Sequence, residues 1–392
     1  MLRPVTDPAS HFGDWQYGIY LRGMGMGERP DLPISWELLE QAARDRLEEA
    51  QRGYVWGGAG TGDTMRANLE ALRSWRIVPR HLRPVETRDL SVQVLGSTLP
   101  APVALAPIGV QTLVHSEGEL ASARGAVTVG VPYTASTAAT HSMEDIAQAG
   151  GTRWYQLYWP KDDAICESLV RRAEQAGYSA IVVTLDTFFL GWRPVDLAQG
   201  FLPFLRAEGV GQFFSDPVFR SRLQHPPEED VQAGVGHWAS IVNKVVEWDD
   251  LEWLRGVTDL PIVLKGVLHR DDARRARDAG MDGVVVSNHG GRQADRAIGS
   301  LTALPGVVAA VGGRTPVLFD SGIRTGADAA LALALGADAV LLGRPYVYGL
   351  ALDGEAGVRH VLRCVLAELD ATLALAGYAD VDGLRAAPDA VV

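Results

Sequence analysis

The amino-acid sequence predicts a (β/α)8 barrel, on three observations. First, eight short apolar runs of strand character occur at 102–110, 133–137, 154–159, 180–187, 261–267, 283–288, 316–322 and 339–343. Second, helical patterns lie between most of them, for example at 117–129, 163–176, 249–255, 270–279 and 327–335. Strands alternating with helices pair in parallel through right-handed crossovers. Third, eight such units fill about 250 residues, the usual size of a closed barrel. The competing fold is an open doubly wound sheet, which is disfavoured because no glycine fingerprint follows the first strand.

The remaining residues are surplus to the barrel, and the whole chain, 1–392, reads as one barrel domain with two additions. Residues 1–99 form an N-terminal arm and cap. The first 35 of these are rich in Gly and Pro and predict an irregular arm. Ser35 caps a helical pattern over 36–52, a glycine-rich stretch at 54–60 interrupts it, and a second helix is expected over 64–74. Residues 79–99 read as loop with short strands. The second addition is a long insertion at 191–248 containing Phe201, Phe204, Phe213, Phe214, Phe219 and Trp238. A long loop with that aromatic content suits a lid or an interface better than a linker.

Composition narrows the function. The 392 residues are 47% hydrophobic with a net charge of −12, which argues against a nucleic-acid-binding surface. The two cysteines, Cys166 and Cys364, form no metal-ligand or redox spacing, and no metal is expected. Residues 1–12 lack the apolar core of a signal peptide. The most apolar later stretch, 329–343, is broken by Gly336 and Asp338, so no membrane span is expected. A cytoplasmic location follows as the simple expectation.

In a barrel of this type the C-terminal strand ends face one site. Strand one delivers Pro107, Ile108 and Gly109; strand two Ser136, Thr137 and Ala138; strand three Gln156 and Tyr158. Strand four delivers Thr184 and Asp186, with Arg193 seven residues on. Strand five gives Lys265, and strand six Ser287, His289 and Arg292. Strand seven gives Asp320, Gly322 and Arg324, and strand eight Gly343 and Arg344. Few of these are apolar, and polar residues in phase at consecutive strand ends point to a site. The stretch Ser287-Asn288-His289-Gly290-Gly291-Arg292-Gln293 is the most informative. It sets a group that exchanges protons near neutral pH beside a planar fork suited to a carboxylate. Its two glycines allow a tight turn and the close approach of a flat or anionic group. Asp320-Ser321-Gly322-Ile323-Arg324-Thr325-Gly326 and Gly343-Arg344 suit a phosphate, held by backbone N–H groups at a helix N-terminus and neutralised by the arginines.

These motifs, with Leu-Lys-Gly-Val at 264–267, Tyr-Gln-Leu-Tyr at 155–158 and Thr-Leu-Asp-Thr at 184–187, resemble the FMN-dependent 2-hydroxy acid oxidising enzymes across almost the whole chain. Within that family the arm around Gly13-Asp14-Trp15, Ala-Pro-Ile-Gly-Val at 106–110, Leu-Gly-Trp-Arg-Pro at 190–194 and the long lid look most like lactate 2-monooxygenase. The resemblance implies FMN at the barrel mouth. Pro107, Ile108, Ser136, Gln156 and Thr184 would meet the isoalloxazine, Lys265 would sit beside its N1, and Ser287 would also contact the cofactor. Asp320, Gly322, Arg324, Gly343 and Arg344 would hold the ribityl phosphate. Tyr54, Arg193 and Arg292 would bind the substrate carboxylate and Tyr158 the 2-hydroxyl. His289 would take a proton, oriented by Asp186. Ala138 stands where some members carry tryptophan, which widens the substrate pocket. Gly109, lacking a Cβ, is expected to leave room for oxygen or peroxide beside a bound keto acid. The implied reaction is oxidation of a short (S)-2-hydroxy acid by O2 with decarboxylation, lactate giving acetate, CO2 and water. The alternatives are an oxidase releasing 2-keto acid and H2O2, and a catalytically silent flavin-binding barrel. A homotetramer or homo-octamer is expected.

Overall fold

The computed structural model describes residues 11–392. Its centre is a closed barrel of eight parallel strands: β1 Val103–Leu105, β2 Tyr133–Ser136, β3 Arg153–Leu157, β4 Ile181–Thr184, β5 Ile262–Lys265, β6 Gly283–Val286, β7 Val317–Phe319 and β8 Ala339–Leu342. Each strand pairs with the next in sequence. The barrel closes where β8 meets β1, with Val340 opposite Val103 and Leu342 opposite Leu105. Each of the eight expected apolar runs coincides with one strand, β3 starting one residue earlier than its run, at Arg153. The runs extend beyond the strands because their last residues have turned out of the ladder into the loops of the barrel mouth.

Side chains alternate along each strand, and this divides the core in two. Ala104, Trp154, Val182, Val263, Val285, Leu318 and Leu341 point inward and pack together. Val103, Leu105, Tyr155, Val183, Leu264, Val286 and Phe319 face outward to the helices. A hairpin, Val92–Val94 paired with Ser97–Leu99, adds Val94, Leu95 and Leu99 to the inner cluster. A Cβ on Gly283, the first residue of β6, would lie 3.3 Å from Leu95, so this hairpin plugs the N-terminal end of the barrel.

Two expectations for the N-terminal region are corrected. The arm is not irregular throughout: Trp15–Met26 is an α-helix ending at Gly27 in the left-handed conformation. Tertiary contacts override its glycine content. The Gly13 N–H donates to buried Asp370 at 2.7 Å, Asp370 also accepts from Arg88, and Trp15 sets its ring edge-on to His360. Residues 1–10 of the expected arm lie outside the described residues. The helix expected over 36–52 is two helices, Trp36–Arg46 and Glu49–Trp56. Leu47 takes an extended conformation and buries its side chain, and the Glu48 N–H is then satisfied by the Gln51 side chain at 2.7 Å. The next helix, Asp63–Arg73, falls where expected.

The lid over 191–248 is a chain of short helices, including Pro194–Ala198, Pro217–Ser221 and Val231–Ile241. It is anchored from beneath by buried Asp216. This carboxylate caps Val218 and Phe219 (2.9 Å each), accepts from Ser168 at 2.7 Å, and pairs with Arg172 at 3.1 Å. Further on, the lid rests on the loop after β2. The Gly211 N–H donates to the Ala139 carbonyl at 2.9 Å and the Gly209 N–H to Thr140 Oγ1 at 3.1 Å. Among the described residues no helix is long and apolar enough to cross a membrane.

The close approach of lid and barrel gives a test. A Cβ on Gly211 would sit 2.1 Å from the Thr140 carbonyl oxygen, so backbone must shift. Gly211→Ala is expected to lower stability by ~1–3 kcal/mol and to speed limited proteolysis within 191–248. An unchanged melting temperature and digestion pattern would show that the lid does not bear on this loop.

Candidate active site

The strand ends and lid enclose a cavity of ≈ 370 Å³. Tyr54, Pro107, Ile108, Gly109, Ala138, Tyr158, Arg193, Lys265, His289, Arg292, Asp320, Gly322, Arg324, Gly343 and Arg344 all line it. These expected site residues are therefore brought together from seven of the strand ends, the cap and the lid. Ser136, Gln156, Thr184 and Ser287 are buried in the strand ends and do not line it, and half-buried Asp186 stands behind the wall, where Thr187 lines it.

His289 stands at the centre. It follows β6 in the left-handed conformation, φ 58°, unusual for a residue with a side chain. Its neighbours hold it there. The His289 N–H donates to Ser287 Oγ at 3.1 Å, and the Gly290 N–H to Ser321 Oγ at 2.9 Å. In the ring, Nδ1 donates to Asp186 Oδ1 at 2.8 Å, which leaves Nε2 as the acceptor on the cavity side. The Tyr158 hydroxyl lies 3.5 Å from Nε2. Thr187 donates to Asp186 Oδ1 at 2.9 Å and steadies the pair. Burial raises the cost of charge on Asp186, but His289, Lys265 and Thr187 outweigh it and hold the carboxyl at about 2. Burial also pushes His289 below the ordinary histidine range; Asp186 pulls the other way, while Lys265 and Arg193 add to the downward push. The imidazole is thus a neutral acceptor at pH 7, backed by a fixed negative charge.

Lys265, at the end of β5, is buried yet stays a cation. Burial opposes its charge, but Asp320 at 3.3 Å, together with Asp186, raises its pKa above the ordinary lysine value. It also donates to Ser287 Oγ at 3.0 Å.

The two carboxylate-clamp candidates are each held by part of their guanidinium. Arg292 donates through one nitrogen to the carbonyls of Tyr54 and Gly57, both at 2.6 Å, and lies over the Tyr54 ring with 5.0 Å to its centroid. Arg193 donates to the Arg292 carbonyl at 3.0 Å and to Gln293 Oε1 at 2.8 Å. Both retain N–H groups for a ligand. Burial, with Arg193 and Arg344 nearby, lowers Arg292 to about 9. An anion in the cavity relieves that.

Three expectations are corrected by the geometry. The helix after β7, Gly326–Ala334, does not offer its first N–H groups to a phosphate. Those of Arg324 and Thr325 donate to Asp328 Oδ2 (2.9 and 3.0 Å), and that of Gly326 to Glu368 at 3.0 Å. On the β7–β8 side the cavity presents the side chains of Arg324 and Arg344 and open space at Gly343, where an added Cβ would meet nothing within 4 Å. Next, the glycines of the His289 turn make room for protein. A Cβ on Gly290 would lie 2.9 Å from Arg344, and one on Gly291 2.7 Å from the Met65 backbone. Finally, Gly109 leaves no void for oxygen. Its absent Cβ points at Ala138, 2.5 Å from the carbonyl oxygen and 2.6 Å from Cβ.

Several supporting residues were not anticipated. Asn288 and Asn68 exchange a reciprocal pair of amide hydrogen bonds at 2.8 and 2.7 Å, joining the β6 turn to the cap helix 220 residues away in sequence. Fully buried Glu119 accepts from the N–H groups of Gln111 (3.0 Å) and Thr140 (3.2 Å) and from His141 (2.9 Å), tying together the loops after β1 and β2. Asn288 lies inside the motif that marks the site, but nothing in the sequence pairs it with Asn68.

The residues of the cavity wall and of the strand ends behind it fit the FMN that the resemblance implies. Gln156 Nε2, Thr184 Oγ1 and Arg324 Nε are buried polar atoms without a hydrogen-bond partner among the described residues, and such atoms ordinarily have one. A buried cation, Lys265, waits at the inner wall, with Arg324 and Arg344 at the β7–β8 side.

Known proteins agree. Residues 43–389 match the family model described as FMN-dependent dehydrogenase. The chain is 46% identical to an FMN-dependent alpha-hydroxy acid dehydrogenase of Penicillium citrinum over 94% of each chain. It is 44% identical to an L-lactate oxidase of Lysinibacillus sphaericus, covering 90% of this chain and 92% of that one. A crystal structure of mandelate oxidase superposes with a TM-score of 0.82 at 42% identity, over 90% of this chain and 97% of the other.

The histidine geometry makes a direct prediction. By histidine-selective NMR, His289 is expected to be half-protonated below pH 6.5, the ordinary value, and neutral at pH 7. A midpoint above 6.5 would mean that Asp186 outweighs burial.

Proposed function

The chain belongs to the FMN-dependent dehydrogenase family, with FMN as cofactor, and from that premise we propose that it oxidises an (S)-2-hydroxy acid with O2. The observation that carries this reading is a neutral, buried imidazole acceptor set beside two partly free guanidinium groups in one cavity. Arg193 and Arg292 bind the carboxylate, and Tyr54 holds Arg292 in place. Tyr158 hydrogen-bonds the 2-hydroxyl. His289 Nε2 takes the substrate proton, and Asp186 stabilises the imidazolium that results. Pro107, Ile108, Gln156 and Thr184 surround the flavin ring. Lys265 offers fixed positive charge next to it, and Asp320, Gly322, Arg324, Gly343 and Arg344 hold the phosphate end. Bound FMN supplies the two-electron acceptor, and O2 is the final oxidant.

We further propose the lactate 2-monooxygenase type of outcome, in which the 2-keto acid stays in the site and is decarboxylated by the peroxide formed there. For lactate the products are acetate, CO2 and water. Support comes from the lid, whose Leu202, Phe204 and Trp238 line the cavity while Asp216 fixes it to the barrel. A lid so held slows keto-acid escape. The exposed Phe188, Phe189 and Trp192 support self-association into a tetramer or octamer.

Two measurements test these readings. His289→Gln is expected to slow anaerobic flavin reduction by about 10²–10⁴-fold while FMN stays bound. A stopped-flow rate near wild type would remove His289 from its role. Aerobic turnover is expected to yield one CO2 and little H2O2 per substrate consumed. One H2O2 per turnover would establish the simple oxidase instead.

A further inference from the structure

The cavity has one wall to which the proposed reading assigns neither the carboxylate, the hydroxyl nor the cofactor. It is built by the loops after β1 and β2 together with the lid, and it is apolar: Val110, Ala138, Leu202, Phe204, Trp238 and Val242. Phe204 and Trp238 stack with ring centroids 5.0 Å apart and planes at 30°. Gly209, at φ +80°, locks this wall together. Its absent Cβ would lie 2.6 Å from Val110 Cγ2, 2.8 Å from Phe204 Cε1 and 2.9 Å from the Ala138 carbonyl oxygen. The wall is therefore packed against barrel backbone and is not a loose flap.

A 2-hydroxy acid carries four groups on its reacting carbon. In the proposed reading the carboxylate goes to Arg193 and Arg292, and the hydroxyl and hydrogen go toward Tyr158 and His289. The fourth group, the 2-substituent, is left facing the apolar wall. A methyl group covers little of it, since the Ala138 side chain stops at Cβ and the partly exposed faces of Phe204 and Trp238 lie beyond. We infer that the acid processed here carries an apolar 2-substituent larger than methyl, of branched-alkyl or phenyl size, seated against Val110, Ala138, Phe204 and Trp238. This rests on the 2-hydroxy acid reading and narrows it. Each further methylene buried against such a wall adds roughly fourfold in affinity, and a pocket of this kind discriminates by about tenfold or more per group.

The holoenzyme is tested with (S)-lactate, (S)-2-hydroxyisocaproate and (S)-mandelate by anaerobic flavin reduction. Binding of pyruvate, 4-methyl-2-oxopentanoate and benzoylformate to the oxidised protein is measured by calorimetry. The reduction rate divided by Kd is expected to be at least about tenfold higher for one of the two larger acids than for lactate. The matching keto acid should bind at least about tenfold more tightly than pyruvate. Ala138→Phe should cut the ratio of larger acid to lactate by about tenfold or more. Lactate reducing as well as the larger acids, with pyruvate binding as tightly as the larger keto acids, overturns the inference. So does an Ala138→Phe protein with an unchanged ratio. If that variant fails to fold, the wild-type ratios decide. If none of the acids reduces the flavin, the 2-hydroxy acid reading falls and the inference with it.

Discussion

Buried positive charge is the constraint around which this molecule is arranged. Lys265, Arg193, Arg292, Arg324 and Arg344 surround one cavity; Asp320 and Asp186 supply negative charge near Lys265, Asp196 near Arg193 and Arg292, and Glu40 near Arg344. Removing a cation from water is costly unless it is paired and hydrogen-bonded. The strain is visible in Arg292 and Arg344, lowered to about 9 and about 10 by burial. Protein carbonyls meet part of the demand: those of Tyr54, Gly57, Val55 and Gly290 all accept from these two arginines. The remainder calls for anionic ligands. FMN phosphate and, in the proposed reading, a substrate carboxylate have the right charge to meet it.

That demand explains why so much chain lies outside the barrel. Eight strand ends can place side chains around a mouth, but they cannot cover it. The cap brings Tyr54 and the carbonyls that hold the arginines, and the lid brings an apolar cover. Both are fastened by buried polar anchors, Asn68 and Asn288 on one side and Asp216 on the other. The barrel itself is ordinary aliphatic packing, sealed at its far end by the hairpin residues Val94, Leu95 and Leu99.

The barrel was legible in the sequence because its signal is periodic: each apolar run is short, repeated and bounded. The site was legible for a related reason. A residue's position just past a strand end sets where it must go, so His289, Lys265, Arg292 and Asp186 arrive together. What could not be read depends on contacts distant in sequence. Trp15–Met26 looks irregular until Asp370 and His360 are in place beneath it. The glycines at 290 and 291 suggest room for a ligand, yet Arg344 and Met65 fill it. The same holds for Gly109, whose open side is occupied by Ala138. A missing Cβ records that something comes near, without saying what.

The amide pair between Asn68 and Asn288 carries a consequence for how such a chain can change over time. Each side chain presents both a donor and an acceptor to the other, and each also serves backbone groups, those of Ser300, Ile298 and Gly291. No other side chain of that length matches both halves of the pattern. A replacement at either position strands its partner in a buried setting, on the turn that aims the imidazole. Drift at one site is therefore barred by the other, and the cap and barrel are bound to a shared history even though neither residue touches the cavity.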